Sequence, residues 1–195
     1  MSITTKKGDD GFTGLPGAEG RVRKDDLRIE CLGALDELNA FLAEARAALL
    51  RSQTARQKSP AARIIEALQK ELAEALGAFV SGGLLPNSDG KKTKSARDSR
   101  QEEKTASFPA AAQCEDWIAK LEKKQPVQGF IQTWTNPGAI KLNISRTVCR
   151  RAERCTAGLG IADPGYLPLV TWLNRLSDLL FLLAAAEERN IHLDA

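Results

Sequence analysis

The sequence predicts an all-α protein, a single bundle of about five helices. Long segments place apolar residues at three- and four-residue steps, glycine and proline mark their ends, and no alternating strand pattern of comparable length appears. The 195 residues, of which 43% are hydrophobic, are enough for one domain with a substantial core but too few for two ordinary domains. Helix-on-helix packing is therefore expected.

The first two helices follow from the spacing of leucines. Residues 27–50 form a long amphipathic pattern without proline. Asp25 or Asp26 is expected to cap this helix, because a short carboxylate side chain accepts hydrogen bonds from the unpaired N–H groups of a first turn. Residues 61–81 repeat the apolar pattern, and the glycine pair that follows ends it.

Residues 84–112 have a different composition, rich in Lys, Ser, Asp and Arg, with almost nothing to bury. We interpret this segment as a long mobile loop. The alternative is a tail that binds nucleic acid, but acidic residues dilute its positive charge. We therefore expect no nucleic-acid partner.

Three further helices complete the predicted bundle. A short helix is expected around 115–123, and a fourth helix begins where Asn136 acts as N-cap and Pro137 takes the first helical position. The fourth helix is expected to end at the glycines Gly158 and Gly160. The fifth, over about 166–190, is so apolar that it should lie at the centre of the bundle or at an interface.

Charge and cysteine content exclude several classes of protein. The net charge of +3 gives no overall electrostatic basis for binding nucleic acid. The four cysteines form no Cys-x-x-Cys pair, and the one histidine, His192, is too isolated to complete a zinc site. The N-terminus lacks an apolar leader, and no stretch approaches the roughly 20 apolar residues of a membrane span. A reduced, cytoplasmic location without a membrane partner is the expectation.

A glycine occupies every third position from Gly8 to Gly20. Such a period is compatible with a collagen triplet, whereas clustered glycines also allow backbone N–H groups to close on an anion. The repeat is too short and too poor in proline for a triple helix. The chain therefore divides into a glycine-rich loop over 1–25, for which anion binding is the remaining alternative, and a helical domain over 26–195.

The predicted fourth helix carries arginines four residues apart, at Arg146, Arg150 and Arg154. Each pair of like charges at this spacing costs about 0.2–0.5 kcal/mol. The row is either a solvated basic face or an anion site, because guanidinium groups match phosphate oxygens in geometry and charge.

Polar residues also interrupt two apolar helix faces. Asp36 in "LDELN" lies at the edge of the first helix's apolar face and is either a rim residue in water or a partner for a cation such as Arg146. Asn174 and Asp178 in "LNRLSD" are either structural hydrogen-bonding groups or part of a site. With one histidine in the chain, enzymatic chemistry would depend on binding, charge neutralisation and a reactive cofactor.

Several separated segments resemble one family in order and spacing. "TKKGDDGFTGL" with "RVRKDD", "LGALDELNAFLAEARA", "RTVCRRAER" and "LNRLSDLLF" are similar to the signatures of PduO-type ATP:cob(I)alamin (corrinoid) adenosyltransferases. The resemblance covers most of the chain outside 84–112. It implies a homotrimer of five-helix bundles, with ATP held between the N-terminal loop of one subunit and the arginine helix of the next.

The resemblance also implies roles for individual residues. Positions expected to contact ATP are Thr5, Lys6, Lys7, Gly8, Thr13, Gly14, Lys24, Arg150, Glu153, Arg154 and Asn174. Asp36 and Arg146 would pair across the subunit interface, and Phe130, Trp134 and Asp178 would contact the corrinoid. Arg150, Asn174 and Phe130 would contribute most directly to the reaction, with Phe130 excluding the lower axial ligand of cobalt.

The implied reaction is attack by cob(I)alamin cobalt on the 5′-carbon of ATP, which releases triphosphate and forms adenosylcobalamin. Mg²⁺ would accompany ATP, and an adenosylcobalamin-dependent enzyme is a possible client. The chain departs from the family where "FIQTWTNPG" replaces the usual Phe-Ile-Leu-Pro-Gly-Gly, and where Asn143 replaces a histidine. The altered connector leaves open a non-catalytic ATP- and corrinoid-binding protein for delivery or sensing. A second alternative to the enzyme is a helical scaffold whose basic face binds polyanions.

Overall fold

A computed structural model describes residues 4, 6–15, 18, 20–51, 59–80, 111–126, 129, 131 and 133–191. Two predicted site residues, Thr5 and Phe130, lie outside the described residues, as do His192 and residues 84–110 of the predicted loop. Residue 112, which we placed in that loop, instead begins a helix.

The described residues form five α-helices, which confirms the predicted helix number, together with a small two-stranded sheet. The helices are α1 (Leu27–Arg51), α2 (Pro60–Val80), α3 (Ala112–Lys124), α4 (Pro137–Ala162) and α5 (Leu167–Glu188). A single 3₁₀ turn, Pro164–Tyr166, precedes α5, and the strands are β1 (Phe12–Gly14) and β2 (Arg21–Arg23).

Helix α5 is largely buried within the bundle, in agreement with its apolar composition. It packs against α4 and α3, while α1 packs between α4 and α2. Trp172, Leu173 and Leu176 of α5 are fully buried. The segment Pro164–Glu188 is long and apolar enough to cross a membrane by length and composition, contrary to our expectation that no stretch approaches this. Because 67% of its most apolar window is buried in the bundle, core packing accounts for this character.

The helix starts follow the capping rules. Asp26, one of the two candidates, accepts a hydrogen bond from the Arg28 N–H at 2.9 Å. Asn136 caps α4, because its Oδ1 accepts from the N–H of Gly138 at 2.7 Å and of Ala139 at 3.4 Å. These contacts place the first turns of α1 and α4 as predicted.

The predicted end of α4 is wrong, because the helix continues through Gly158 and Gly160. The glycines serve close packing instead. A Cβ on Gly158 would lie 3.2 Å from Leu27 Cδ2, and one on Gly160 would lie 3.1 Å from Leu167 Cδ2. The missing side chains thus let the end of α4 approach the starts of α1 and α5.

The sequence pattern also missed the hairpin of β1 and β2 within the glycine-rich segment. The strands are antiparallel, with Phe12 opposite Arg23. Gly11 and Gly20 take φ values of +83° and +87°, which glycine tolerates best. Leu15, only 4% exposed, joins the bundle core and attaches the hairpin to it.

Candidate active site

The arginines of α4 have three different surroundings. Arg151 forms an ion pair with Glu37 of α1, so its charge is used between helices. Arg146 and Arg150 instead line a cleft, and Arg146 Nε donates to Asn143 Oδ1 at 2.9 Å. Arg154 is exposed to solvent. The arginine row is therefore not uniformly solvated, since two members face a concave surface.

The cleft has a volume of about 740 Å³ and lies between α3, α4, α5 and the connector that precedes α4. One wall is charged, with Arg146, Arg150 and Asp178. The other lining residues are Ile118, Glu122, Gly129, Ser177, Phe181 and Leu182. A cleft of this size with charged and apolar walls suits a large ligand that has both an anionic and an apolar part.

A hydrogen-bonded network connects α4 to α5. Glu153 Oε1 accepts from Asn174 Nδ2 at 3.0 Å, and Asn174 Oδ1 accepts from Arg175 Nη1 at 2.9 Å. Arg175 Nε in turn donates to Glu115 Oε1 of α3 at 2.9 Å. Because both ends of the Asn174 amide are engaged, its orientation is fixed.

Glu153 connects this network to the cleft. Its side chain is only 15% exposed, and its Oε2 lies 3.6 Å from Arg150 Nη1. That separation is longer than a hydrogen bond. Glu153 Oε2 is consequently a buried acceptor that no described residue hydrogen-bonds, beside a cation that points into the cleft.

Asp178 lies on the same wall as Arg150. Desolvation raises the pKa of the Asp178 carboxyl, although the guanidinium groups of Arg175 and Arg150 act in the opposite direction. Its negative charge is therefore less favoured than that of an ordinary surface aspartate.

Trp134, in the connector before α4, packs edge-on against the cleft residue Phe181, with ring centroids 6.2 Å apart and an interplanar angle of 88°. Glu188, at the end of α5, holds the connector. Its carboxylate accepts from the N–H groups of Thr135 and Asn136, both at 3.0 Å. The edge of the cleft thus depends on contacts made at the far end of α5.

The described lysines in and before the N-terminal hairpin do not line this cleft. Lys24 Nζ is 3.1 Å from where a Cβ on Gly8 would lie, so an ammonium group covers the glycine backbone. Lys6 has φ +57° and, like Lys7, is exposed. Thr13 pairs with Val22 in the hairpin. None of the described residues from 6 to 24 hydrogen-bonds or forms an ion pair with α4.

Comparison with known proteins identifies the family. A family model described as cobalamin adenosyltransferase matches residues 3–187. This chain belongs to that family. The cobalamin adenosyltransferase of Cupriavidus metallidurans is 35% identical over 188 residues, 96% of this chain and 88% of that protein. The corrinoid adenosyltransferase PduO of Salmonella typhimurium is 32% identical over 192 residues, 98% of this chain but 51% of its own length.

A solved structure extends the similarity to the fold of a family member. A variant of the PduO-type ATP:corrinoid adenosyltransferase from Lactobacillus reuteri, complexed with cobalamin and ATP, superposes with a TM-score of 0.71 at 25% identity. The alignment covers 97% of this chain and 93% of that one. The resemblance inferred from the sequence motifs is therefore confirmed at the level of the family.

In this family member, the predicted site residues form two separate groups. Arg150, Glu153 and Asn174 belong to one network. Asp178 lines the cleft beside it, and Trp134 packs against the lining residue Phe181. The hairpin positions, among them Gly14, which pairs with Arg21, form the second group. Asp36 is exposed, and among the described residues of the subunit no ion pair joins it to Arg146.

Sequence reasoning missed several residues that shape the site. Glu115 and Glu188 orient Arg175 and the connector, and Arg21 organises the hairpin. Each acts on a residue 9 to 60 positions away, so local spacing does not reveal its partner. Asn143 was noted only as a departure from the family, yet it supplies the acceptor for Arg146.

The thiols have no evident chemical role. All four cysteines are free, and only Cys155 is not fully buried. Burial raises the pKa of Cys31 and of Cys114 to about 12, and that of Cys149 well above the ordinary thiol value. Because the thiolate is the nucleophilic form, these three buried groups are inert at neutral pH.

Proposed function

We propose that this chain transfers the 5′-deoxyadenosyl group of ATP to the cobalt of cob(I)alamin, with release of triphosphate and formation of adenosylcobalamin. The observation that carries the proposal is the cleft, in which Arg146 and Arg150 face apolar side chains next to the Glu153–Asn174 pair. Membership of the cobalamin adenosyltransferase family, and a solved relative complexed with cobalamin and ATP, support these two substrates.

The α4–α5 network would bind the nucleotide. Arg150 and Arg154 would neutralise the triphosphate, because guanidinium groups form strong charge-assisted hydrogen bonds with phosphate oxygens. Asn174 would contact the nucleotide in the orientation that Glu153 and Arg175 impose on it. Trp134, Phe130 and Asp178 would contact the corrinoid.

The hairpin would supply the remaining contacts to ATP. Its contact positions would be Thr5, Lys6, Lys7, Gly8, Thr13, Gly14 and Lys24. Because the described hairpin makes no hydrogen bond to α4 of its own subunit, we propose a homotrimer in which the hairpin of one subunit completes the site of the next. The exposed carboxylate of Asp36 would then pair with Arg146 of a neighbouring copy.

The reaction needs no protein nucleophile or base. A cobalt–carbon bond forms at C5′ as the bond between C5′ and the phosphate oxygen breaks, and the electron pair leaves with triphosphate. The protein's part is to align the substrates and stabilise the charge that develops on the leaving group. The high pKa values of the buried Cys31 and Cys114 thiols agree with a reaction that uses no protein nucleophile.

Mg²⁺ fits this site as an ion held mainly by ATP. The described residues contain no cluster of three His, Cys, Asp or Glu side chains. Mg²⁺ is commonly bound by one or two carboxylates together with substrate phosphates. Glu153, whose Oε2 is buried without a hydrogen-bonding partner, is the group that would hold it, and the ion would offset phosphate charge.

The assay that tests the proposal combines the protein, ATP, Mg²⁺ and chemically reduced cobalamin. We expect adenosylcobalamin and triphosphate in equal amounts. ATP binding without either product would instead support a delivery or sensing protein. In a cytoplasmic setting, which the free thiols favour, the product would pass to an adenosylcobalamin-dependent client enzyme.

A further inference from the structure

One guanidinium group holds the N-terminal hairpin together. Arg21 forms a two-pronged ion pair with Asp10, from Nη1 to Oδ2 at 2.7 Å and from Nη2 to Oδ1 at 2.6 Å. Nη2 also lies within hydrogen-bond distance of the carbonyl of Phe12, at 2.7 Å, and of that of Lys7, so that its two N–H groups are shared among three acceptors. Arg21 thus connects β2 to both sides of the turn that precedes β1.

The turn has few other restraints. Its own backbone hydrogen bonds are long, 3.4 Å from Asp9 N to Lys6 O and 3.3 Å from Gly11 N to Gly8 O. The one shorter bond that ties it to the opposite side runs from Lys24 N to Gly11 O at 2.9 Å. Within the turn, the Phe12 N–H also donates to Asp10 Oδ1 at 3.2 Å, and this is the carboxylate that Arg21 binds. Because long hydrogen bonds are weak, the Arg21 contacts are the main fixed points of 7–12.

The ion pair between Arg23 of β2 and Asp25 serves as a comparison for the Arg21–Asp10 pair. Arg23 also binds a carboxylate with both prongs, that of Asp25, but it contacts no backbone carbonyl of the turn. Its side chain is 71% exposed, against 44% for Arg21. Exposed pairs of this kind contribute little to stability. Arg21 differs because it joins three segments at once.

We propose that Arg21 is a positioning residue for ATP binding: through Asp10 and the Lys7 and Phe12 carbonyls it holds the turn 7–12 in the form that receives the phosphates. The inference rests on the proposed function, since it takes this turn as an ATP-contacting segment. Arg21 itself need not touch ATP. Its role is to keep Gly8 and the Lys24 ammonium in register across the hairpin.

The Arg21–Asp10 ion pair is expected to persist at neutral pH. The hydrogen bonds from Arg21 lower the pKa of the Asp10 carboxyl to about 2. The carboxylate therefore stays ionised throughout the neutral range. A lysine at position 21 would carry the charge but lack the planar fork that reaches a carboxylate and two carbonyls together.

The experiment compares Arg21→Ala, Arg21→Lys and Asp10→Asn with the matched control Arg23→Ala. We expect the first three to raise the KM for ATP about tenfold or more, with kcat and the KM for cob(I)alamin changed less than about twofold. The Lys24 amide should exchange with solvent faster in the same variants. Arg23→Ala should leave all of these values at the wild-type level.

Two results would overturn the proposal. One is an unchanged KM for ATP in Arg21→Ala, and the other is an equal rise in Arg23→Ala. Calorimetric titration with ATP and Mg²⁺ separates this inference from the proposed function. If the wild-type protein binds ATP but forms no adenosylcobalamin, the proposed reaction fails, while loss of ATP affinity in Arg21→Ala alone would still support the positioning role of Arg21.

Discussion

Asn174 of α5 donates a hydrogen bond from Nδ2 to Glu153 Oε1 of α4, across 3.0 Å. The two residues are 21 positions apart in the sequence, and their contact links α4 to α5. A hydrogen bond to a charged group contributes about 1.5–3 kcal/mol. The pair therefore has a structural role, and we propose that it also binds ATP.

We expect Asn174→Ala to lower kcat/KM for ATP about tenfold or more, because the amide is lost and the Glu153 carboxylate loses its donor. Gln69→Ala is a matched control, since Gln69 Nε2 donates to Asn39 Oδ1 at 3.2 Å in another interhelical amide contact, between α1 and α2. Both variants should lose some stability in urea unfolding. Equal loss of ATP use in the two would contradict a binding role for Asn174.

Arg150 and Arg151 are adjacent in sequence but have different surroundings, which gives a second test. Arg150 lines the cleft, whereas Arg151 pairs with Glu37. We expect Arg150→Ala to reduce kcat/KM for ATP about 100-fold or more, because the cation that we propose binds the leaving triphosphate is lost. Arg151→Ala should retain activity and lose at most about 1 kcal/mol of stability. Similar activity in the two variants would contradict a specific role for Arg150 in the use of ATP.

Local sequence patterns predicted the helices well, because a helix places apolar residues at three- and four-residue steps and has characteristic residues at its ends. The spacing of leucines located α1 and α2, and the Asn136–Pro137 pair located the start of α4. The same patterns failed at Gly158 and Gly160, where glycine marks close helix packing and not a helix end. Composition cannot distinguish these uses of glycine, because the difference lies in which distant side chains come near.

The candidate site was predictable to the extent that its residues share a helix. The four-residue spacing placed Arg146 and Arg150 on one face, and both line the cleft. The contact of Glu153 with Asn174 depends on how α4 meets α5, and spacing contains no such information. The hairpin was missed because its strands have three residues each, too short to leave an alternating pattern.

The hydrogen bond between Trp172 and Glu71 provides a test of pH dependence. Trp172 Nε1 donates to Glu71 Oε2 at 2.8 Å. Burial raises the pKa of the Glu71 carboxyl, although the bond from Trp172 partly offsets this effect. The folded state therefore disfavours the charged form, so the group costs no stability at low pH and destabilises the protein as pH rises through its folded pKa.

Glu71→Gln keeps an acceptor for Trp172 without the charge. We expect the variant to have a higher melting temperature than the wild type at pH 8, and the difference to shrink as pH falls toward the ordinary glutamate range. Thermal melts at a series of pH values measure this. A constant difference across pH would show that the charge on Glu71 is not responsible.

The connector provides the last prediction, because Glu188 holds it by the N–H groups of Thr135 and Asn136. We expect Glu188→Ala to release the segment that carries Trp134, so that the edge of the cleft loosens. The amides of Thr135 and Asn136 should then exchange faster with solvent. The KM for cob(I)alamin should rise several-fold, while ATP affinity stays unchanged, and Arg189→Ala, an exposed neighbour, should have neither effect.

The sign of the pH effect separates this contact from a simple loss of packing. The hydrogen bonds from Thr135 and Asn136 lower the pKa of the Glu188 carboxyl. Their stabilising contribution is therefore complete above the ordinary glutamate pKa and is lost as pH falls through the lowered value. Amide exchange in the wild type, corrected for its intrinsic pH dependence, should approach that of Glu188→Ala only at acidic pH. If the wild type and the variant already agree at pH 7, the carboxylate does not hold the connector, and Trp134 must be positioned by its packing against Phe181 and the hydrophobic core.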